Sequence, residues 1–234
     1  SENNHQSIYL ASWLREHCYT IKNKKKFLSP YLLWDSSAKN NLDNFKIDHE
    51  EVMNSDEGLL KWLEKLHTFG LAILTNCPTK KNSAFKILNR ISHIRETFFG
   101  TPFEVINIPK PNNTAYTADA LRNHTDLPYY EYAPGYQFLH CLINDADGGM
   151  SSTIDGFAVA NHLRKEDPET FNLLTDTYVK FKDEDYTQNK TRIFYSPLIT
   201  TSKDNDFNDI RFSMAAMGVI DIEPNKMKKF YDAY

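Results

Sequence analysis

The stretch RNHTDLPYY, residues 122–130, sets His124 and Asp126 two positions apart. On an extended backbone such residues face the same way, so an imidazole nitrogen and a carboxylate oxygen could converge on one ion. With a second histidine from a distant strand, the pair would make the facial triad of non-haem Fe(II) oxygenases, which leaves positions open for a cosubstrate and dioxygen. The spacing alone carries little. Eight histidines and 31 acids among 234 residues generate about one His-x-acid pair by chance. His49-x-Glu51 is such a pair, in a polar stretch that reads as a solvated loop. A hydrogen-bonded histidine at the end of a strand remains the competing reading of residues 122–130.

Positioning such a pair needs a sheet, and the chain supplies strand signals after a helical opening. "SIYLASWLREH" (7–17) predicts an extended piece turning into a short helix. "SDEGLLKWLEKLHTFG" (55–70) has a serine cap, acids in the first turn, apolar Leu59, Leu60, Trp62, Leu63 and Leu66, and a glycine stop, which predicts a helix. "LAILTN" (71–76) predicts a buried strand. A second amphipathic helix is expected over "SAFKILNRISHIRETFF" (83–99). Beyond residue 100, segments 136–143, 150–157, 178–185, 191–199 and 207–217 are rich in β-branched and aromatic residues and separated by turn signals. One helical insert, "DGFAVANHLRKEDPETFNLL" (155–174), interrupts them, and "EPNKMKKFYDAY" (223–234) predicts a last helix. Helices followed by short strands suggest an α+β, mainly β fold, a jelly roll or barrel buttressed by helices.

Composition narrows the function classes. A formal net charge of -4 with scattered lysines argues against a nucleic-acid footprint. The run Lys22-Asn23-Lys24-Lys25-Lys26 reads as a solvated loop. With 41% hydrophobic and 13% aromatic residues, the expectation is one compact domain with terminal attachments. No apolar stretch has the length of a membrane span, so no membrane partner is expected. Cys18, Cys77 and Cys141 suit neither a disulfide framework nor a zinc knuckle, and a reducing, cytoplasmic setting is the simplest inference.

Residues 112–157 hold several linked motifs: Ala-Tyr-Thr (115–117), His-Thr-Asp (124–126), Pro-Gly-x-Gln-x-x-His-Cys (134–141), Gly-Gly-x-Ser (148–151) and Asp-Gly-Phe (155–157). In order and spacing they resemble the core of the γ-butyrobetaine and trimethyllysine hydroxylase group. These are taurine-dioxygenase-like Fe(II)/2-oxoglutarate oxygenases, and the resemblance extends more faintly over nearly the whole chain. It implies a double-stranded β-helix (jelly roll, cupin-like) in which His124 and Asp126 bind iron. It also implies hydroxylation coupled to oxidative decarboxylation of 2-oxoglutarate by dioxygen, in the chemistry of carnitine biosynthesis. The group's second iron histidine and its 2-oxoglutarate arginine are expected on a later strand that this sequence does not reach. The chain is therefore expected to be a fragment, with residues 1–30 the tail of a small zinc-type domain and linker and 31–234 an oxygenase domain incomplete at its C-terminal end. His5 matches a histidine of that zinc domain, whereas His140 and His162 are expected to be structural.

By the same resemblance, Leu139 and Ser151 line the cosubstrate pocket. Phe99, Phe103 and Tyr116 would be cage aromatics for a quaternary trimethylammonium, which cannot donate a hydrogen bond and is held by ring faces instead. Simple core packing is the competing reading of the two phenylalanines. Asn113 matches a carboxylate-binding amide. Leu127, Pro128, Tyr129 and Tyr130, which follow Asp126, would form a wall or lid, with substrate contact by Tyr129 or Tyr130 and simple packing as the two readings. The group's Asn-Asn pair is replaced here by Ser213-Met214, which puts γ-butyrobetaine itself in doubt and leaves a related zwitterion open. The expected partner is thus a small betaine-type molecule, with a possible homodimer. A non-catalytic jelly-roll binding protein, or a related oxygenase with an amino-acid-like substrate, is the alternative.

Overall fold

The computed structural model describes residues 6–18, 31–106, 109, 120–145, 147–186, 188–203 and 205–234. Helix α1 (Ala11–Glu16) follows an extended lead, as expected. A run of 3-10 turns over Ser36–Phe45 leads into strand β1 (Lys46–Asp48) and helix α2 (His49–Asn54). Helix α3 (Asp56–Phe69) begins and ends where its sequence signals demand. The Ser55 hydroxyl accepts from the Gly58 N–H at 2.9 Å, and Gly70 closes the helix at φ 68°. Strand β2 (Ile73–Thr75) then pairs in parallel with β1, Leu74 opposite Ile47. Ile47, Val52, Trp62 and Ile87 bury together as a first core.

The second expected helix is cut short. Helix α4 spans only Ala84–Leu88. Just beyond it Arg90 reaches the α2–α3 junction, donating to the Ser55 carbonyl at 3.1 Å and to Asp56 at 2.6 Å, and also to the Val52 carbonyl. Further on, Phe98 and Phe99 join a ring cluster with Tyr129 and Tyr130. These tertiary anchors outweigh a weak local preference broken by Asn89, Ser92 and Thr97.

The helical insert forms as two helices, α5 (Gly156–Glu166) and α6 (Pro168–Asp176), capped by Asp155 and Asp167. Strands β3 (Val179–Asp185) and β4 (Lys190–Ser196) make an antiparallel hairpin, with Val179 opposite Ser196 and Asp185 opposite Lys190. Strands β5 (Ile199–Thr201) and β6 (Phe207–Ile210) make a second, whose register shifts between Thr200 and Thr201. Residues 216–218 lie along β3: Lys182 N–H donates to the Ala216 carbonyl and Gly218 N–H to the Lys180 carbonyl, both at 2.7 Å. A Cβ at Gly218 would sit 3.0 Å from that Lys180 oxygen, so glycine permits the close approach. Helix α7 (Pro224–Ala233) closes a second, larger core that includes Val179, Phe181, Leu198, Phe207, Ile220 and Phe230.

The architecture is mixed α/β, and two expectations need correction. Residues 136–143 and 150–155 form no ladder with described residues, and the sheets among those residues have two strands each. An extended segment becomes a strand only when a partner satisfies its backbone groups, however β-prone its side chains. The described residues thus do not by themselves close a double-stranded β-helix. His49, expected in a solvated loop, is instead 7% exposed at the start of α2. There Asp48 caps the helix by accepting from the Glu50 N–H at 2.8 Å, which turns the imidazole inward. The lysine run 22–26 lies outside the described residues. None of the helices described is long and apolar enough to cross a membrane.

Candidate metal centre

Residues 122–131 cross in front of the segment that follows β6. Thr125 N–H donates to the Phe212 carbonyl at 2.7 Å, and Phe212 N–H returns a bond to the Thr125 hydroxyl oxygen at 2.9 Å. That exchange fixes the middle residue of His-Thr-Asp, and period-two geometry turns its neighbours together. His124 Nε2 stands 3.1 Å from Asp126 Oδ1, with both side chains about one-third exposed, at 36% and 38%.

The surroundings of the two groups specify donors and acceptors. His124 Nδ1 lies 2.6 Å from the Arg122 carbonyl, which can only accept, so Nδ1 carries a proton. A neutral imidazole then directs the Nε2 lone pair at a carboxylate oxygen that is also an acceptor. Two acceptors at this distance need a proton or a cation between them. Asp126 Oδ2 accepts from the Gln137 amide, which leaves Oδ1 as the oxygen facing the histidine. Metal bonds of about 2.1 Å at a right angle would separate two donor atoms by about 3.0 Å. The pair therefore suits neighbouring positions on one small divalent ion, with Arg122 and Gln137 as its outer hydrogen-bond partners. Among the described residues no group of three or more His, Cys, Asp or Glu is placed to hold a metal. Among them, His124 and Asp126 are two groups that could hold one ion.

After Asp126 the chain turns sharply. Leu127 is buried at φ 54°, and its carbonyl accepts from the Tyr130 N–H at 3.1 Å. Arg211, only 6% exposed, secures this turn. Its guanidinium donates to the Pro128 carbonyl at 2.9 Å, the Glu131 carbonyl at 2.8 Å and the Tyr130 carbonyl. It also meets Asp209 at 2.9 Å and lies 4.6 Å from the centre of the Phe194 ring. Sequence reasoning did not single out Arg211. A charged residue between Ile210 and Phe212 in an apolar run was the available signal, because a buried arginine must find partners.

Phe99, Phe103 and Tyr129 share a ring cluster. Phe99 lies 5.0 Å from Phe103 and 4.1 Å from Phe98, and Phe98 lies 6.3 Å from Tyr129. The Arg192 guanidinium stands 3.6 Å over Phe98 while paired to Asp183 at 2.7 Å, so a cation already occupies one ring face. Burial pushes the Tyr129 hydroxyl well above the usual tyrosine range, with the Asp183 charge adding to the shift. Leu139 and Ser151 are both exposed. Their segments are tied to the loop by neighbours: Gln137 to Asp126, and the Ser152 hydroxyl to Asn123 at 3.1 Å. Ser213 is buried, whereas Met214 is exposed with its sulfur 3.9 Å from an Arg122 nitrogen. His140 Nε2 donates to the Pro78 carbonyl at 3.0 Å, and His162 lies exposed on α5. His5, Asn113 and Tyr116 lie outside the described residues.

The model of the family described as "Taurine catabolism dioxygenase TauD, TfdA family" matches residues 35–233. The chain is 35% identical to the gamma-butyrobetaine dioxygenase of Pseudomonas sp. (strain AK-1) over 235 residues, covering all of this chain and 60% of that protein. Human gamma-butyrobetaine dioxygenase is 34% identical over 76% of the chain and 46% of its own length. Mouse mitochondrial trimethyllysine dioxygenase is 32% identical over 75% of the chain and 42% of its own length. The chain thus spans between about two fifths and three fifths of these relatives. A match running from the 3-10 turns to α7, across the His-Thr-Asp loop, means that the chain belongs to the TauD/TfdA dioxygenase family.

Proposed function

We propose that this chain carries part of the active site of an Fe(II)- and 2-oxoglutarate-dependent dioxygenase that hydroxylates a small zwitterion of the trimethylammonium type. The observation carrying the proposal is the His124–Asp126 pair, with Nε2 and Oδ1 facing each other 3.1 Å apart and the outer nitrogen and outer oxygen already engaged. In this reading His124 Nε2 and Asp126 Oδ1 hold the iron, and the whole protein folds as a double-stranded β-helix. Bound iron would supply the chemistry by which dioxygen oxidatively decarboxylates 2-oxoglutarate to succinate and carbon dioxide and places one oxygen atom in the substrate.

The chain's own residues orient and enclose. The Arg122 carbonyl holds the histidine tautomer, and the Gln137 amide holds the carboxylate. Leu139 and Ser151 would flank the cosubstrate. Phe99, Phe103 and Tyr129 would present ring surface to the cationic end, with Tyr116 completing that wall and Asn113 meeting the anionic end. The betaine class rests on the relatives' names and on this cluster. The Ser213-Met214 replacement favours an anionic end unlike that of γ-butyrobetaine.

The test is succinate release from 2-oxoglutarate by the intact protein, with a panel of betaines. The expected result is release that requires ferrous iron and at least one betaine, with His124→Ala reducing it at least about a thousandfold. Release driven only by non-betaine amino acids would overturn the substrate class. Wild-type release that His124→Ala leaves intact would overturn the site.

A further inference from the structure

The loop that carries His124 and Asp126 forms no ladder with described residues, and its geometry is imposed from the far end of the β5–β6 hairpin. Two adjacent residues there do this. Phe212 exchanges backbone and hydroxyl hydrogen bonds with Thr125, between the two candidate ligands. Arg211 spreads its guanidinium over the carbonyls of Pro128, Tyr130 and Glu131, just after them. Four of the five guanidinium N–H groups are thereby used, counting the Nε contact to Asp209, so this buried cation is committed to the fold and not free to receive a carboxylate ligand. Leu127 sits between the two anchors at φ 54°, a backbone state a branched apolar residue adopts only when its surroundings enforce it.

We infer that Arg211 and Phe212 act together as a positioning clamp that holds His124 and Asp126 at metal-binding separation; the inference rests on the metal reading of that pair. Releasing the carbonyls after Asp126 lets Leu127 relax toward negative φ, which swings the carboxylate away from the imidazole. A folded protein with a loosened clamp therefore loses metal affinity, which a purely structural role for Arg211 would leave unchanged. Lysine cannot replace arginine here, because one ammonium group cannot reach several carbonyls in a planar fork.

The experiment titrates the intact protein with Mn(II) alone and follows loss of the free-ion electron paramagnetic resonance signal. Arg211→Lys, with folding checked by circular dichroism, should bind Mn(II) at least about tenfold more weakly than wild type. Phe171→Leu, a core substitution between α6 and the second hairpin, should lower the melting temperature while leaving Mn(II) affinity within about twofold. Should Arg211→Lys fail to fold, Thr125→Val tests the same clamp. It removes only the hydroxyl that accepts from Phe212, and a severalfold weaker affinity is expected. Wild-type affinity in folded Arg211→Lys, or in Thr125→Val where the lysine variant does not fold, overturns the clamp. Affinity lost equally in Phe171→Leu also overturns it. Wild-type protein that captures no Mn(II) overturns the metal reading itself, and the clamp with it.

Discussion

Tyr129 ties the ring cluster to the larger core, and burial raises the pKa of its hydroxyl. Charging it in the folded state would put a phenolate into partly dry surroundings beside the Asp183 carboxylate. The folded-state pKa lies above the unfolded value of about 10, so the contribution of neutral Tyr129 is complete below pH 10 and is lost as pH rises through the folded pKa. Stability of the wild type should therefore fall steeply above about pH 10. Tyr129→Phe should stay within about 1 kcal/mol of it at pH 7 and fall less steeply above pH 10. Part of the fall will remain in the variant, because burial also pushes Tyr234 up to about 12. Denaturant midpoints measured between pH 8 and pH 11.5 check this, and identical slopes would show that Tyr129 plays no part in alkaline unfolding. The candidate ligands that the sequence singles out, His124 and Asp126, are those whose proposed chemistry is local. Arg211 acts across some eighty residues, and no spacing rule reaches that far.

Among the elements, α3 was legible to its ends because its cap, first-turn acids, apolar stripe and glycine stop all lie within its own residues. The helix expected over 83–99 had the same kind of stripe but a charged residue in its path, and Arg90 binds the α2–α3 junction instead. The segments expected as strands at 136–143 and 150–157 pair with none of the described residues, and 156–157 open α5 instead: β-propensity describes side chains, whereas a strand needs partner backbone. Gly58 separates local from tertiary demands most sharply. Alanine inside a helix is ordinarily better than glycine by about 1 kcal/mol. Here a Cβ would run into the Glu51 carbonyl oxygen where α2 crosses α3. Gly58→Ala should consequently destabilise the protein by about 1–3 kcal/mol, against the sign of helix propensity. Chemical denaturation checks it, and a stabilised variant would mean that the two helices do not pack this closely.

At the scale of the molecule, two cores must be held against each other for the loop between them to keep its shape. Trp62 of the first core meets Phe138 at 5.9 Å, Phe157 beside the larger core meets Tyr31 at 5.5 Å, and a carboxylate links the Trp34 segment to α5. Asp155 caps α5 through Oδ1, accepting from Phe157 and Ala158, while Oδ2 accepts from the Trp34 N–H at 2.9 Å. Trp34 in turn donates its indole N–H to the Phe69 carbonyl at the end of α3. One side chain thus starts a helix of the larger core and fastens the first core to it. Asp155→Asn separates the two duties. Its amide oxygen can still cap α5, since asparagine is as good a cap as aspartate, but its NH2 group meets the Trp34 N–H donor to donor. The expected cost is about 1–3 kcal/mol, the consequence of a partly buried donor left without an acceptor. In hydrogen exchange, protection should fall around Trp34 and the C-terminal turn of α3 while α5 keeps its own. Asp155→Ala should lower protection in both places. Unchanged protection around Trp34 in the asparagine variant would mean that Asp155 serves only as a helix cap.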